Sequence, residues 1–274
     1  MELIEIVKAL ILGIVQGITE WLPISSTGHM ILINDLFPMQ VYSDITKNKE
    51  FVDMFLVVIQ LGSILAVLLL YFNKLNPFKS NKKEQKETIK LWTKVLVAAV
   101  PAAIMGLLFD DWIDSVLYNS LTVAAMLILY GIGFLWVESR NNKVTTKTLG
   151  QLSYKMALMI GVFQILALIP GTSRSGATIL GAVLLGCQRS VAAEFSFFLA
   201  IPMMFGASLI KLLKMKIALD GTGLLILLVG MITAFVVSII AIKELMNYIR
   251  KKDFKIFGWY RIVLGVLILL ILGF

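Results

Sequence analysis

The sequence is poor in charge and in cysteine. Of its 274 residues 15% are charged and 59% hydrophobic, with a mean hydropathy of +0.90, whereas ordinary soluble domains have about 25% charged residues. This composition excludes a soluble globular protein and predicts an integral membrane protein. The single cysteine, Cys187, excludes an intramolecular disulfide and a cysteine-based metal cluster. The N-terminal segment lacks the small-x-small site of a cleaved signal and contains Gln16 and Glu20, so we expect it to remain in the mature protein.

Six stretches are apolar and long enough to cross a bilayer, which takes about 20 residues per helix. They are 54–72, 91–109, 121–137, 195–213, 223–242 and 256–273. Two further apolar segments, 9–36 and 154–187, are interrupted by short runs rich in proline, glycine and serine. Non-helical backbone survives at membrane depth only inside protein or beside a wet cavity. We therefore predict two re-entrant helix–loop–helix hairpins, each entering and leaving on the same face.

The two interrupted segments resemble each other. At an offset of 148 residues the matching pairs are Gly13 and Gly161, Gln16 and Gln164, Ser25 and Ser173, Thr27 and Ser175, and Gly28 and Gly176. The sequence therefore predicts one membrane domain, 1–274, made of two repeats, 1–140 and 150–274, each a hairpin followed by three spans. Because three is odd, the second repeat must insert upside down, and the predicted fold is an all-α polytopic membrane protein with an inverted-topology repeat.

Basic residues are distributed unevenly between the predicted loops. The alternating topology separates loops 73–90, 138–153 and 243–256 from loops 37–50, 110–120 and 211–222. The first set contains fourteen Lys and Arg and the second set five. Because cytoplasmic loops have an excess of Lys and Arg, we place the first set in the cytoplasm and both termini outside, so that the hairpin tips meet near the midplane. This topology and anionic lipid headgroups explain the net charge of +8 without a nucleic-acid partner.

The interruption in segment 9–36 concentrates polar side chains. Gln16 and Glu20 stand four residues apart and therefore share one helix face. An ionisable group inside an apolar segment, such as Glu20, is a functional candidate by default. Further polar residues follow directly, namely Ser25, Ser26, Thr27 and His29, the only histidine. Helix capping would explain the hydroxyls and a backbone carbonyl would satisfy His29, but neither explains Glu20.

The second interruption, 171–176, is typical of an anion-binding loop. Small residues let backbone N–H groups converge at the N-terminus of the following half-helix, where the helix dipole favours an anion. Arg174 adds a planar fork of donors suited to phosphate. The predicted phosphate-binding residues are Gly171, Thr172, Ser173, Arg174, Ser175 and Gly176, with Ser25 and Thr27 of the first loop. The alternative is that Arg174 only forms a structural ion pair with Glu20.

Together the two loops suit phosphoryl transfer. The Glu20 carboxylate and the Gln16 amide oxygen are ligands for a hard divalent cation, Mg²⁺ or Ca²⁺, which often coordinates phosphate oxygens as well. The hydroxyls, His29 and Glu20 provide a nucleophile and a proton carrier. Phosphoryl transfer needs little more than this positioning and charge stabilisation.

Four stretches, 16–29, 57–63, 170–178 and 194–197, resemble the bacterial undecaprenyl-pyrophosphate phosphatases of the bacitracin-resistance family. The resemblance covers essentially the whole chain. It implies hydrolysis of undecaprenyl pyrophosphate to undecaprenyl phosphate and inorganic phosphate, which recycles the carrier lipid for cell-wall synthesis and gives bacitracin resistance. It also implies a bacterial plasma-membrane protein that needs a divalent metal and whose site opens away from the cytoplasm.

Each functional residue of that family has a corresponding position in this sequence. Its Glu/Gln-x-x-x-Glu pair corresponds to Gln16 and Glu20, with the amide variant first, so Glu20 is the stronger metal-ligand candidate. The resemblance implies that Ser26, His29 and Arg174 are catalytic with Glu20. Ser26 then either attacks phosphorus, with Glu20 or His29 taking its proton, or orients a water.

Two further hypotheses stay open. A transporter or flippase for polyprenyl phosphate or another anion would also have an inverted repeat and a polar midplane site. Small residues such as Gly131 and Gly176 predict close helix approach and leave a homodimer open.

Overall fold

The computed structural model describes residues 2–140, 143–214 and 219–272. Regular structure within these ranges is helical, apart from one isolated bridge between Thr146 and Cys187. The helices are α1 Glu2–Thr19, α2 Ser26–Leu36, α3 Ile45–Val58, α4 Gln60–Leu70, α5 Phe72–Leu75, α6 Lys82–Leu117, α7 Ser120–Ser139, α8 Tyr154–Ile165, α9 Arg174–Leu184, α10 Arg189–Lys214, α11 Gly221–Ile249 and α12 Lys255–Leu272. Short 3₁₀ turns lie at Leu149–Gln151 and Leu166–Leu168.

Five helical segments in the described ranges are long and apolar enough to cross a membrane. They are Ile45–Leu70, Lys82–Phe109, Ser120–Ser139, Arg189–Lys214 and Gly221–Ile249. The prediction of an all-α protein with several membrane-type helices is confirmed. The sixth predicted span, 256–273, falls on α12, and residue 273 lies outside the described residues. The number of six spans therefore stays a prediction.

Several helices extend beyond the predicted spans because the apolar stretch is only the middle of those helices, whereas the span predicted at 54–72 is divided among α3, α4 and α5. Helix α6, for example, begins nine residues before the predicted start at residue 91. Polar side chains fix several of these starts by accepting a hydrogen bond from an amide two or three residues ahead. These N-caps are Asp44, Asn81, Asn119, Ser153 and Asp220.

Both interrupted segments form helix, loop and helix, as predicted. The second helix of each, α2 or α9, has 11 residues and begins at a serine N-cap. The N-cap serines are Ser25 with φ 74° and Ser173 with φ 71°, and each Oγ accepts from the amide three residues on, Gly28 or Gly176. These two are the non-glycine residues with positive φ among those described. Such a backbone is rare outside glycine and is often found at functional sites.

Close helix packing connects the two halves of the chain. Helix α1 packs on α11, α8 packs on α6, and α7 packs on α12. Glycines allow these approaches: a Cβ at Gly13 would lie 2.7 Å from the carbonyl oxygen of Gly230, and one at Gly161 would overlap that of Ala98. Gly131 and Gly258 face each other in the same way, which agrees with the close approach predicted at Gly131. The loop tips are thereby brought against an aromatic core in which Trp21 contacts Phe197, with ring centroids 5.3 Å apart.

Candidate active site

The carboxylate of Glu20 lies where the two loops meet. Helix α1 ends at Thr19, so Glu20 begins the first loop, and its side chain is buried, with the residue 5% exposed. Its Oε2 accepts hydrogen bonds from Gln16 Nε2 and from Ser26 Oγ, both at 2.9 Å. Its Oε1 lies 3.2 Å from a terminal nitrogen of Arg174, which reaches it from the second loop. The structure therefore brings together four of the predicted site residues.

Arg174 is the first residue of α9 and is held from two sides. One terminal nitrogen contacts Glu20, and the other donates to the backbone carbonyl of Ser196 in α10 at 2.7 Å. The guanidinium carbon lies 5.8 Å from the ring centroid of Trp21. Its Nε is buried without a hydrogen-bond partner among the described residues. The predicted ion pair with Glu20 is present, and a further role of Arg174 in phosphate binding stays a prediction.

Ser26 and Glu20 form the contact that matters most for chemistry. The Ser26 hydroxyl donates to a carboxylate at 2.9 Å, within the reach required of a general base. Ser26 is only partly buried, and Thr27 beside it is exposed. A ligand can therefore approach the hydroxyl from the side not occupied by Glu20.

The single histidine is held away from this contact. His29 Nδ1 lies 2.7 Å from the carbonyl oxygen of Ser25, so Nδ1 donates, and Nε2 lies 2.7 Å from the hydroxyl of Tyr260. In the neutral imidazole Nε2 then accepts from Tyr260. The expected backbone carbonyl partner of His29 is thus present. Of the two proton acceptors considered for Ser26, the geometry favours Glu20.

The second loop is built mainly from internal hydrogen bonds. Gly171 has φ 90°, and a Cβ there would lie 2.5 Å from the carbonyl oxygen of Val123. Ser173 Oγ caps α9 and lies 3.1 Å from Ser175 Oγ, and Ser175 also donates to the carbonyl of Leu22 at 3.1 Å. These hydroxyls shape the loop and join it to the first loop. The Thr172 hydroxyl is buried without a partner among the described residues, and a phosphate-binding role for the loop stays a prediction.

Arg261, which sequence analysis did not single out, ties the two loops together. Its side chain in α12 is fully buried. One terminal nitrogen donates to the carbonyl of Pro23 in the first loop at 3.1 Å. The other donates to the carbonyls of Gly171 and Thr172 in the second loop, both at 2.9 Å. A lone arginine within the apolar stretch 256–273 was the signal that could have identified it.

The donor set fits a cation that is shared with a substrate and not one held by protein alone. No group of three or more His, Cys, Asp or Glu side chains that could hold a metal occurs within the described ranges. Gln16 donates its amide nitrogen to Glu20, so its amide oxygen takes no part in this contact. Mg²⁺ is commonly bound by one or two carboxylates together with waters and substrate phosphates, and Glu20 with Gln16 meets that minimum.

Comparison with known proteins agrees with the motifs in the two loops. The family described as bacitracin resistance protein BacA matches residues 9–267. A protein of Enterococcus faecalis named undecaprenyl-diphosphatase is 56% identical over 99% of this chain and 98% of its own length. A protein of the same name from Acetivibrio thermocellus is 57% identical over 98% of both chains. Undecaprenyl-diphosphatase 1 of Clostridioides difficile strain 630 is 58% identical over 98% of this chain and 96% of its own. On this near-complete coverage, the chain belongs to the BacA family of bacitracin resistance proteins.

Proposed function

We propose that this chain is a membrane-embedded phosphatase that hydrolyses undecaprenyl pyrophosphate to undecaprenyl phosphate and inorganic phosphate. The observation that carries the proposal is the meeting of Ser26, Glu20 and Arg174, because it joins a nucleophile, a base and a phosphate-binding fork from two distant loops. The names of the relatives support the same substrate. Recycling of the carrier lipid for cell-wall synthesis and bacitracin resistance follow from this activity and from the family's description.

The pyrophosphate binds between the two loops. Arg174 is the first residue of α9, and the helix dipole at that N-terminus favours an anion. The fork of Arg174 bonds the phosphate oxygens and balances the charge that develops on them. The reacting phosphorus then faces Ser26 in the same cleft.

Glu20 takes the proton of the attacking hydroxyl. In one route Ser26 Oγ forms a bond to the terminal phosphorus while the bond from that phosphorus to the bridging oxygen breaks, which releases undecaprenyl phosphate. A water then cleaves the phosphoserine and releases inorganic phosphate. In the other route Ser26 orients a water, whose oxygen bonds to the terminal phosphorus while Glu20 accepts its proton. The bond from that phosphorus to the bridging oxygen breaks, so inorganic phosphate and undecaprenyl phosphate are released and no phosphoenzyme forms.

Glu20 and the amide oxygen of Gln16 would hold a divalent cation, Mg²⁺ or Ca²⁺, which would supply neutralisation of charge on the phosphate oxygens. Gln16 keeps the carboxylate oriented through its 2.9 Å hydrogen bond.

An apolar groove beside the site suits the prenyl tail. Its volume is about 440 Å³, and its lining is mainly apolar, with Ile18 and Leu22 near the first loop and α11 residues that include Glu244 and Tyr248. Leu22 belongs to both regions, because its carbonyl accepts from Ser175 of the second loop. A lipid can therefore place its tail in the groove while its pyrophosphate reaches the loops.

The proposed topology has six spans, two re-entrant hairpins and the active site opening to the outside of the bacterial plasma membrane. The excess of Lys and Arg in one set of loops supports this orientation. The equal lengths of α2 and α9, their matching serine caps, and the packing of α1 on α11 and of α8 on α6 support the inverted repeat.

The test is phosphate release from a polyprenyl pyrophosphate by purified protein, with Mg²⁺ or Ca²⁺ and with EDTA. We expect metal-dependent release that falls by about a hundredfold or more in Glu20→Ala, Ser26→Ala and Arg174→Ala. Lys83→Ala, on the exposed start of α6, is the matched control and should keep full activity. Rapid-quench trapping with labelled substrate separates the two routes, since only attack by Ser26 gives a phosphoenzyme.

The rival function is transport of polyprenyl phosphate without cleavage, which the exchange of packing partners between the two halves of the chain also suits. Well-folded protein that binds the lipid and releases no phosphate would overturn the phosphatase and leave the transporter.

A further inference from the structure

A second polar cavity lies at the opposite end of α9 from the active site. Its volume is about 230 Å³, and it is lined by the end of α7, residues 143–144, the turn between α9 and α10, and the end of α11. Arg174 begins α9, whereas Val183 near its other end lines this cavity. At 1.5 Å per residue the two lie about 14 Å apart along the helix. The cavity is therefore separate from the phosphatase site.

Its lining is strongly basic. It contains four cations, Arg140, Lys143, Arg189 and Arg250, and one carboxylate, Glu138; we call it the basic pocket. Arg189 uses both Nε, at 2.9 Å, and a terminal nitrogen on Glu138. Glu138 also accepts from the amide of Phe254 at 3.1 Å. The carboxylate is thus fully engaged by its own partners.

Three positive charges remain without a carboxylate. The ion pairs among the described residues do not include Arg140, Lys143 or Arg250. Arg140 lies instead over the ring of Trp136, 3.9 Å from its centroid. An aromatic ring of this kind is typical of a membrane interface. A concave site with three uncompensated cations favours an anion.

The pocket is also built on fixed backbone and has apolar walls. The backbone N–H of Thr145 donates to the carbonyl of Gly186 at 2.9 Å, and the backbone N–H of Gln188 donates to the carbonyl of Thr146 at 2.8 Å. Val137, Val183 and Ile249 contribute apolar lining between the charged side chains. Basic side chains together with an apolar lining match a phosphate ester that also has glycerol and acyl groups.

We propose that the basic pocket binds the phosphate group of an anionic phospholipid from the adjacent leaflet. The same chemistry would accept free inorganic phosphate, so the test separates the two sources. In the proposed topology the pocket lies on the cytoplasmic side, because its lining includes residues of the basic loops 138–153 and 243–256. The proposal does not depend on the phosphatase activity, because no residue of the basic pocket belongs to that site.

The experiment measures phosphatidylglycerol binding to delipidated, detergent-purified protein by native mass spectrometry, and inorganic phosphate binding in a parallel series. The test variant is Lys143→Gln with Arg250→Gln, which removes two charges and leaves the Arg189–Glu138 pair intact. Its matched control is Lys82→Gln with Lys83→Gln, which removes two charges from the exposed start of α6. Thermal unfolding without lipid and phosphate release from polyprenyl pyrophosphate confirm that both variants are folded.

We expect one tightly retained phosphatidylglycerol per chain, bound about thirtyfold more weakly by the test variant, since each cation near a membrane surface contributes about fivefold. The control should bind like the unchanged protein, and inorganic phosphate should not compete at millimolar concentration. Equal binding by both variants, or equal weakening in both, would overturn the proposal. Binding of inorganic phosphate alone, lost in the test variant, would overturn the phospholipid as its source.

Discussion

At the scale of single residues, the site depends on Arg261 as much as on the residues that face substrate. Its guanidinium is fully buried and bonds carbonyls of Pro23, Gly171 and Thr172, so one side chain fixes the distance between the two loops. Tyr260, the preceding residue, holds His29. Helix α12 thus positions both loops without contributing to the Ser26–Glu20 contact. We regard Arg261 and Tyr260 as positioning residues.

Replacing Arg261 tests this role. Arg261→Met leaves three buried carbonyls without their donor, and each costs about 1–3 kcal/mol. We expect a clearly lower melting temperature in detergent and a large loss of phosphate release. Arg261→Lys should restore part of the stability but little turnover, because a single ammonium cannot span both loops as the planar fork does. Full activity in Arg261→Lys would contradict the bridging role.

The sequence predicted the residues that come together in the site, but not Arg261, which holds the two loops together. Glu20, Ser26 and Arg174 stood out because polar and ionisable groups are conspicuous in apolar segments. Ser25 and Ser173 were predicted as phosphate-binding residues, and their side chains cap α2 and α9 in the structure. Local sequence could not decide between these roles, because a serine before a half-helix suits both. The role of Arg261 depends on a tertiary contact across 238 residues, which no local pattern contains.

At the scale of elements, the two half-helices begin in a strained way. Ser25 and Ser173 combine an N-cap hydrogen bond with a positive φ, a conformation that costs a non-glycine residue about 1–2 kcal/mol. The cap offsets part of that cost. The strain is maintained because Arg261 binds carbonyls of both loops and the Ser175–Leu22 hydrogen bond joins one loop to the other. The matching geometry in both loops indicates that the turn is a requirement of the fold.

This balance predicts an order of stability at Ser173. Ser173→Gly loses the cap but gains a residue that adopts positive φ freely, so its free energy of unfolding should change by less than about 1 kcal/mol. Ser173→Ala loses the cap and keeps the strain, and should be less stable than Ser173→Gly by about 1 kcal/mol. Thermal unfolding in detergent measures the difference. An alanine variant as stable as the glycine variant would show that the turn is not strained.

Helix packing gives a second prediction, with a built-in control. A Cβ at Gly161 of α8 would overlap the carbonyl oxygen of Ala98 in α6, whereas one at Gly206 of α10 meets nothing within 4 Å. Gly161→Ala must therefore separate two backbones and should destabilise the protein by about 1–3 kcal/mol. Gly206→Ala should be neutral or slightly stabilising, because alanine is the better helix former. The melting temperatures of the two variants check this, and equal values would contradict the close packing of α8 on α6.

At the scale of the whole molecule, hydropathy located the membrane helices but not their full lengths. Predicted spans such as 91–109 found the apolar middle of a helix, while its polar ends, including Lys82 at the start of α6, lie outside the range that hydropathy detects. The sequence could not predict that α1 packs on α11 and α8 on α6, because this packing depends on which glycines face which backbone. The sidedness of the molecule rests on the distribution of Lys and Arg alone.

The proposed orientation in the membrane can be tested by labelling one residue on each side. Lys49 in the predicted loop 37–50 and Lys86 near the start of α6 are both exposed, and the proposed topology has them on opposite sides of the membrane. The native Cys187 is 2% exposed, so it gives little background in thiol labelling. A membrane-impermeant maleimide should label Lys49→Cys in intact cells and Lys86→Cys only after permeabilisation. The reverse pattern would invert the topology and turn the opening of the site toward the cytoplasm, while labelling of both in intact cells would contradict a crossing by Ile45–Leu70. The unchanged chain is the control, since any signal from it measures access to Cys187 itself.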